Sequence, residues 1–288
     1  MSAPDVPAYT AVPTRAEVRP TGGGMISLLG YNWLGALRYL KIMLGSQLAA
    51  PLLYMLSLGL GLGSVVNANA GGSRLGTSYI AYLAPALIAA SALQVAVVEA
   101  TYPVLHGGFL YQRTYFAMNA TPLSAAQISR SVLGWIAIRS ALSATLYLAV
   151  VACFGGVRSV GALLVIPLAT LGAVSFAAPV TAYAASLTSE GSGFNTIFRF
   201  MVTPMFLFSG TFYPVSNLPK WAQVLAHVSP LWHATQLCRW VALGPLHLRS
   251  GVGGMTLPAA VGHLAFLLVL AAAGARVTQR QFRVRLAK

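Results

Sequence analysis

Carboxyl groups are the side chains that most often carry acid–base chemistry, and this chain has only four: Asp5, Glu17, Glu99 and Glu190. Two of them lie in an N-terminal stretch rich in Pro, Ala and Thr, and two lie at or beyond the edges of long apolar runs. None is placed to form the buried carboxylate pair that general acid–base catalysis often uses. We therefore expect no catalytic site in this chain.

Metal and nucleotide chemistry also lack their usual patterns. The histidines are dispersed, and His227 and His233 stand six residues apart across Pro230, which is not a ligand spacing on one helix. The motif G-x-x-x-x-G-K-[ST], whose backbone cradles the phosphates of ATP, does not occur. We expect that the chain itself binds no metal and no cofactor.

Three ionisable residues border or interrupt the apolar runs: Glu99, Arg139 and Arg199. Charged groups within a membrane are costly, which makes them candidates for function. The arginines could instead extend their side chains to the inner membrane surface, which is the more ordinary behaviour near the end of a span. Our hypothesis is that Glu99 pairs with one of the two arginines and holds a cytoplasmic gate.

The composition identifies the kind of protein that must position these residues. Of the 288 residues, 57% are hydrophobic and 8% are charged, whereas roughly 25% are charged in a typical soluble domain. The net charge of +14 could indicate nucleic acid binding, but the basic residues stand between apolar runs rather than in one patch. The chain is predicted to be an all-α integral membrane protein without a nucleic acid partner.

Six apolar segments are predicted to form transmembrane helices. They cover about residues 42–66, 79–98, 132–157, 160–187, 197–212 and 257–275. Residues 25–41 carry an apolar stripe opposite polar side chains, which predicts an amphipathic helix at the membrane interface. We expect residues 1–24 to form a disordered cytoplasmic tail, and residues 25–288 to form the transmembrane domain.

The basic residues predict the orientation. With the N-terminus inside, 13 Lys and Arg residues face the cytoplasm and 5 face outward, so both termini are expected to be cytoplasmic. The expected location is the plasma (inner) membrane of a bacterium. Arg276, Arg280 and Arg283 share one helix face and are expected to contact membrane lipids with anionic head groups.

The cytoplasmic link, residues 99–130, is one of two informative stretches. Residues 111–119 are predicted to be helical. Thr121 suits the N-cap of the helix that follows, and Pro122 suits its first position. A helix held between two spans can act as a lever that another protein pushes.

The outward stretch, residues 206–239, is the second informative stretch of the sequence. Its residues 217–228 and 231–242 are amphipathic but only about 12 residues long each, where a span needs roughly 20. They are predicted to be two re-entrant helices that enter the membrane interface and turn back, although an ordinary aromatic-rich loop fits the pattern about equally well. The residues singled out there are Tyr213, Pro214, Leu218, Pro219, Trp221, Pro230, Trp232, His233 and Arg239.

These two stretches carry a family resemblance. The outward pattern G-T-F-Y-P-V-x-x-L-P-x-W followed by S-P-L-x-H-x-x-x-x-x-R resembles the region before the last span of ABC-2 type exporter permeases. The link patterns E-A-T-Y, Q-R-T-Y and A-T-P-L-S resemble the link between their second and third spans, most closely in the nodulation lipo-oligosaccharide and daunorubicin-type drug exporter branches. One difference is that Arg130 and Ser131 stand where the nodulation branch usually has an acidic residue.

The resemblance implies a transmembrane subunit of an ATP-driven exporter, with ATP and Mg²⁺ held by a separate ATP-binding subunit. Its seat on this chain would be the coupling residues Tyr111, Gln112, Arg113, Thr114 and Tyr115, while Thr121, Pro122, Leu123 and Ser124 would set the beginning of the third span. Two spanning halves are needed, so the chain should pair with itself or with a sibling permease. The cargo would be a glycolipid, a lipo-oligosaccharide or a hydrophobic drug.

A secondary transporter driven by an ion gradient is the alternative. It would need acidic residues near the middle of the membrane and related halves with broken helices. Glu99, placed by the sequence at the edge of a span, fits that mechanism poorly.

Overall fold

A computed structural model describes residues 23–68, 78–156, 160–189, 193–243 and 255–287. Within these ranges the chain is almost entirely helical and has no strand, which confirms the all-α prediction there. The predicted tail lies outside the described residues apart from its last two positions. In chain order the helices are α1 (Gly24–Arg38), α2 (Leu40–Val66), α3 (Tyr79–Leu110), α4 (Thr114–Asn119), α5 (Ala125–Cys153), α6 (Val160–Ser186), α7 (residues 193–208), α8 (Lys220–Val228), α9 (Pro230–Leu243) and α10 (Leu257–Leu286).

Five of the described helices, α2, α3, α5, α6 and α10, are long and apolar enough to cross a membrane. The predicted fifth segment instead forms α7, which consists of three consecutive pieces of 5, 5 and 6 residues, the middle one π-helical. It ends at Ser209 because Gly210 adopts a positive φ of 72°. This helix is shorter than the roughly 20 residues that a straight span requires, so the sixth span stays a prediction.

Two spans contain π-helical turns, and the second of these changes the position of Glu99. Met55–Leu62 of α2 and Pro103–Leu110 of α3 are π-helical. Pro103 lacks a backbone N–H, and the wider turn lets the helix continue through it. The sequence placed the end of this span near residue 98, and that was wrong, because α3 continues to Leu110 and leaves Glu99 inside it.

Small residues allow the helices to approach closely at the centre of the protein, where α3 and α6 are largely buried. Gly172 of α6 lies against Ala234 of α9 with no room for a Cβ. At the contact of α6 with α10, a Cβ on Gly274 would lie 2.6 Å from Cδ of Pro179. One turn further along α10, Thr278 Oγ1 donates a hydrogen bond of 2.8 Å to the Ala178 carbonyl.

Helix α1 packs along the beginning of α5 and leaves one face exposed. Gly24 and Leu28 are buried, and Leu29 lies next to Gly134 of α5. Ile26 and Trp33 are exposed. The helix confirms the predicted element, and an exposed apolar side fits a position at the membrane surface.

Candidate functional site

The cytoplasmic link is fastened to the end of α3 by one glycine and one aromatic ring. A Cβ on Gly108 would overlap the ring of Tyr115, so only glycine lets α4 approach the π-helical end of α3. Next to this contact, Thr114 Oγ1 donates a 2.9 Å hydrogen bond to the Gly107 carbonyl. The backbone therefore reverses direction within a few residues and brings α4 back onto α3.

The same ring ties the link to the last helix. Tyr115, Phe109 and Phe282 form a cluster with ring centroids 5.0–5.3 Å apart. Burial raises the pKa of the Tyr115 hydroxyl well above its usual value. At the far end of α4, Asn119 Nδ2 donates a 3.0 Å hydrogen bond to the Leu286 carbonyl. A displacement of α4 would therefore reach both α3 and α10.

The predicted coupling residues separate into two groups. Tyr111, Gln112 and Arg113 are exposed, and Arg113 adopts a left-handed backbone conformation with φ of 51°. Tyr115 and Thr114 instead hold the link to α3. The predicted helix is shorter than expected, because residues 111–113 form a turn and α4 begins only at Thr114.

The beginning of the third span is capped by a different residue from the one predicted. Ser124 is the N-cap of α5: its Oγ accepts a hydrogen bond from the Gln127 N–H, and Gln127 Oε1 accepts one from the Ser124 N–H. The assignment of Thr121 as N-cap and Pro122 as first helical residue was wrong. Thr121 Oγ1 donates to the Met118 carbonyl and ends α4, while Leu123 precedes the cap.

A groove of about 470 Å³ opens between the link and the C-terminal ends of α6 and α10. Its polar and aromatic lining includes Arg113, Phe116, Ser186, Thr188, Gln281 and Arg285. Arg285 also donates hydrogen bonds to the carbonyls of Ala185 and Leu187, which fixes one wall. The described lining residues include two arginines and no acid, so the groove suits a polar or acidic contact.

In the structure Glu99 and Arg139 form an ion pair, whereas the predicted role of this pair as a gate stays a prediction. Arg139 Nε lies 2.9 Å from Glu99 Oε1, and the two side chains are 16% and 15% exposed. Both residues are deeper within their helices than the sequence suggested, because α3 continues to Leu110 and α5 begins at Ala125. Arg199 does not join them and is exposed on α7.

Both outward helices are present as α8 and α9, with bounds within three residues of those predicted. Helix α8 starts later because Leu218 is extended and Pro219 occupies the N-cap. Trp221 and Leu225 are exposed on one face of it, while Ala222 is buried on the other. This uncovered apolar face fits insertion into a membrane interface, although the re-entrant arrangement itself stays a prediction.

Tyr213 and Pro214 form the turn that leads from α7 to α8. The Tyr213 hydroxyl donates a 3.1 Å hydrogen bond to the Leu207 carbonyl. Deeper in the same region, the hydroxyls of Ser209 and Ser229 lie 2.6 Å apart in a buried position. These bonds hold the ends of α7 and α8 together.

Arg239, one of the residues singled out in the outward stretch, is buried, with its side chain 4% exposed. Its Nε donates to the Tyr82 carbonyl at 3.0 Å, and its Nη2 donates to the carbonyls of Gly210 and Thr211 at 2.8 and 3.0 Å. Burial lowers the pKa of its guanidinium group. Arg239 therefore joins α3, α9 and the turn after α7.

His233 connects α9 to α10. Its Nδ1 lies 2.7 Å from Nδ1 of His263, and its Nε2 lies 2.9 Å from the His227 carbonyl. Phe266 stacks on its ring with centroids 3.9 Å apart, and Trp232 packs edge-on against it. Burial lowers the pKa of His233 to about 4.

These contacts do not form a metal site by the usual criteria. Among the residues that the structure describes, no three His, Cys, Asp or Glu side chains are grouped to hold a metal ion.

The sequence did not predict three residues that contact the candidate site residues. Arg239 contacts Tyr82, Tyr115 contacts Phe282, and His233 contacts His263. Each of these partners lies in another helix, far along the chain from the residue that it contacts.

Comparisons with known proteins agree with this architecture. The family model for ABC-2 type transporters matches residues 25–243. The chain is 31% identical to nodulation protein J of Rhizobium meliloti (strain 1021), over 78% of this chain and 87% of the relative. It is 34% identical to nodulation protein J of Rhizobium leguminosarum bv. viciae, over 75% and 83% of the respective lengths. No solved structure is significantly similar to the chain.

Proposed function

The chain belongs to the ABC-2 type transporter family and is the transmembrane component of an ABC exporter, and we propose that it carries an amphipathic cargo outward when a partner subunit hydrolyses ATP. Membrane subunits of this family are generally not catalytic, and the family implies an ATP-binding partner. The proposed location is the bacterial inner membrane, with both termini in the cytoplasm. ATP and Mg²⁺ would be held by the partner.

The single observation that carries the coupling mechanism is the attachment of α4. Tyr115 packs on Gly108 of α3 and on Phe282 of α10, and Asn119 is bonded to the end of α10. A force on the exposed turn at residues 111–113 would therefore be transmitted to two transmembrane helices. We assign Tyr111, Gln112 and Arg113 to contact with the partner, and Thr114 and Tyr115 to transmission.

The proposed cargo is a lipo-oligosaccharide. The similarity to nodulation protein J favours this class over a hydrophobic drug. The exposed aromatic face of α8 would border the exit, where amphipathic rings suit a cargo with an apolar and a polar part. Export needs two spanning halves, which would be two copies of this chain or this chain with a sibling permease.

The first experiment is to purify the full chain from its native membrane and to measure bound ATP-binding subunit and ATPase activity. The unmodified protein should retain a stoichiometric P-loop subunit, and Arg113→Glu should lose most of it. Arg280→Glu makes the same charge change at an exposed position of α10 and should retain the partner. Isolation without any ATPase, with transport driven by an ion gradient, would establish the secondary transporter instead.

Transmission is tested separately with two neighbouring glycines. Gly108→Ala would push Tyr115 away from α3, so the partner should still bind while ATPase activity loses its coupling to transport. Gly107→Ala is the matched control, because its Cβ would lie 3.7 Å from Gln112 Oε1, an ordinary contact. Equal coupling in both variants would contradict the proposed role of Tyr115.

A further inference from the structure

A row of polar side chains runs along one face of α5 inside the membrane-spanning part of the protein. Arg139, Ser143 and Tyr147 follow one another at intervals of four residues, so they lie on the same helix face. Arg139 pairs with Glu99, and the hydroxyls of Ser143 and Ser91 lie 3.0 Å apart. Arg139 and Ser143 therefore face α3, and the row covers about two turns of helix.

Helix α2 contributes to the same region. Its Leu40–Tyr54 part packs against α5. Gln47 precedes Tyr54 by seven residues and shares its helix face. Both polar side-chain atoms of Gln47 are buried, which fits a position that faces the interior of the protein. We call this set the polar column; its members are Gln47, Tyr54, Ser91, Glu99, Arg139, Ser143 and Tyr147.

Several polar atoms of the column are buried without a partner in the described part of the chain. They are Oε1 and Nε2 of Gln47, Nη1 of Arg139 and the hydroxyl of Tyr147. The Tyr147 side chain is 1% exposed. Neither lipid chains nor apolar side chains can satisfy such atoms, and buried polar groups in proteins are nearly always hydrogen-bonded. A column of unpartnered donors and acceptors therefore indicates a polar molecule that binds in another conformation.

The chemistry of the column indicates which kind of polar molecule it would bind. Glu99 and Arg139 neutralise each other, so the column has no net charge to attract an ion. Its unpartnered atoms include both donors and acceptors, among them the Gln47 amide and the Tyr147 hydroxyl. Neutral sugar hydroxyls, which both donate and accept, match this set.

We propose that the polar column binds the saccharide part of the cargo when α2 separates from α5. The proposal rests on the proposed export of an amphipathic cargo and adds the site for its polar part. Helix α2 is suited to such a movement, because it contains Pro51 and the π-helical Met55–Leu62. Most of its surface is not packed against other described helices.

The test compares two transport probes in vesicles that contain the complete transporter and its ATP-binding subunit. One probe is a fluorescent acyl-trisaccharide and the other is the fluorescent fatty acid with the same chain. Tyr147→Phe and Gln47→Leu should each raise KM for the acyl-trisaccharide by about tenfold relative to KM for the fatty acid. Neither variant should lower the melting temperature, because each removes atoms that have no partner.

Tyr79→Phe is the control for loss of a tyrosine hydroxyl that does have a partner, since the Tyr79 hydroxyl donates a 3.2 Å hydrogen bond to the Phe212 carbonyl. It should lower the melting temperature and leave the ratio of the two KM values as in the unmodified protein. If both column variants keep the unmodified ratio while the acyl-trisaccharide is exported, the column does not bind sugar and the inference is wrong. If the unmodified complex exports neither probe, the proposed function and the inference both fail.

Discussion

The guanidinium carbon of Arg239 lies 3.7 Å from the centre of the Tyr82 ring, stacked on its face in a buried position. The same side chain donates hydrogen bonds to three backbone carbonyls, one from Tyr82 and two from the turn at Gly210 and Thr211. No carboxylate of the described residues pairs with this cation, which is stabilised instead by a ring and by carbonyl dipoles. The contact fastens the outward part of the protein to α3.

Replacement of Arg239 should destabilise the outward region. Arg239→Met leaves the three carbonyls without their donor and should lower the free energy of unfolding by about 3 kcal/mol or more. Arg239→Lys keeps the charge but not the planar fork, so about half of that loss is expected. Thermal unfolding in detergent measures both, with Lys220→Met, an exposed cation on α8, as the control. If Lys220→Met lowered the free energy of unfolding by as much, the contacts of Arg239 would not be responsible for the loss.

The Glu99–Arg139 pair gives a second prediction. Glu99→Gln leaves a mostly buried guanidinium without its counter-charge, and a loss of about 3–5 kcal/mol is typical when a buried pair is broken. Arg139→Gln should be similarly harmful. The exchange Glu99→Arg with Arg139→Glu should recover part of the stability and of the transport. An exchanged protein that is no better than either single variant would argue against the pair as a gate.

Packing between α6 and α10 gives a third prediction. Gly274→Ala forces a Cβ against Pro179 and Ala178 and should cost about 1–3 kcal/mol of stability. Gly262→Ala, on the same helix, has no atom within 4 Å of its Cβ and should be neutral or slightly stabilising. The melting temperatures of the two variants are compared in the same detergent. A lower melting temperature for Gly262→Ala than for Gly274→Ala would contradict the prediction.

The contact of His233 with His263 predicts sensitivity to acid. The His227 carbonyl can only accept, so Nε2 of His233 donates to it and Nδ1 must accept from Nδ1–H of His263. Protonation of His233 at Nδ1 would break this bond. The facing titratable groups are His227 and His263, and neither is acidic.

The direction of the effect follows from the lowered pKa of His233, which is about 4 in the folded protein against 6.5 for the free side chain. The unfolded chain binds the proton first, so the stability from this contact is complete above about pH 6.5 and is lost as the pH falls toward 4. Melting temperatures measured across this range should fall, and His233→Phe should flatten that dependence while keeping the stack on Phe266. An unchanged slope in His233→Phe would assign the acid sensitivity to other groups.

Local composition predicted much of the fold. Long apolar runs predicted the five described helices that are long enough to span, because a chain with so little charge can satisfy its backbone in a membrane only as helices. The runs were less reliable at their ends. The predicted end of span two, near residue 98, came too early, because a π-helical turn carries α3 through Pro103. Similarly, Ser124 rather than Thr121 caps α5, since the reciprocal bond with Gln127 decides between nearby candidates.

The sequence by itself determined that this chain is an α-helical membrane protein, and its link and outward motifs identified the family. Only the tertiary structure decided that Glu99 reaches Arg139, that Arg239 is buried against Tyr82, and that Tyr115 packs inward while Arg113 stays exposed. The physical reason is that hydropathy and caps act over a few neighbouring residues. A buried polar contact depends instead on which helices adjoin and at what register, and that is set by close packing across the whole chain.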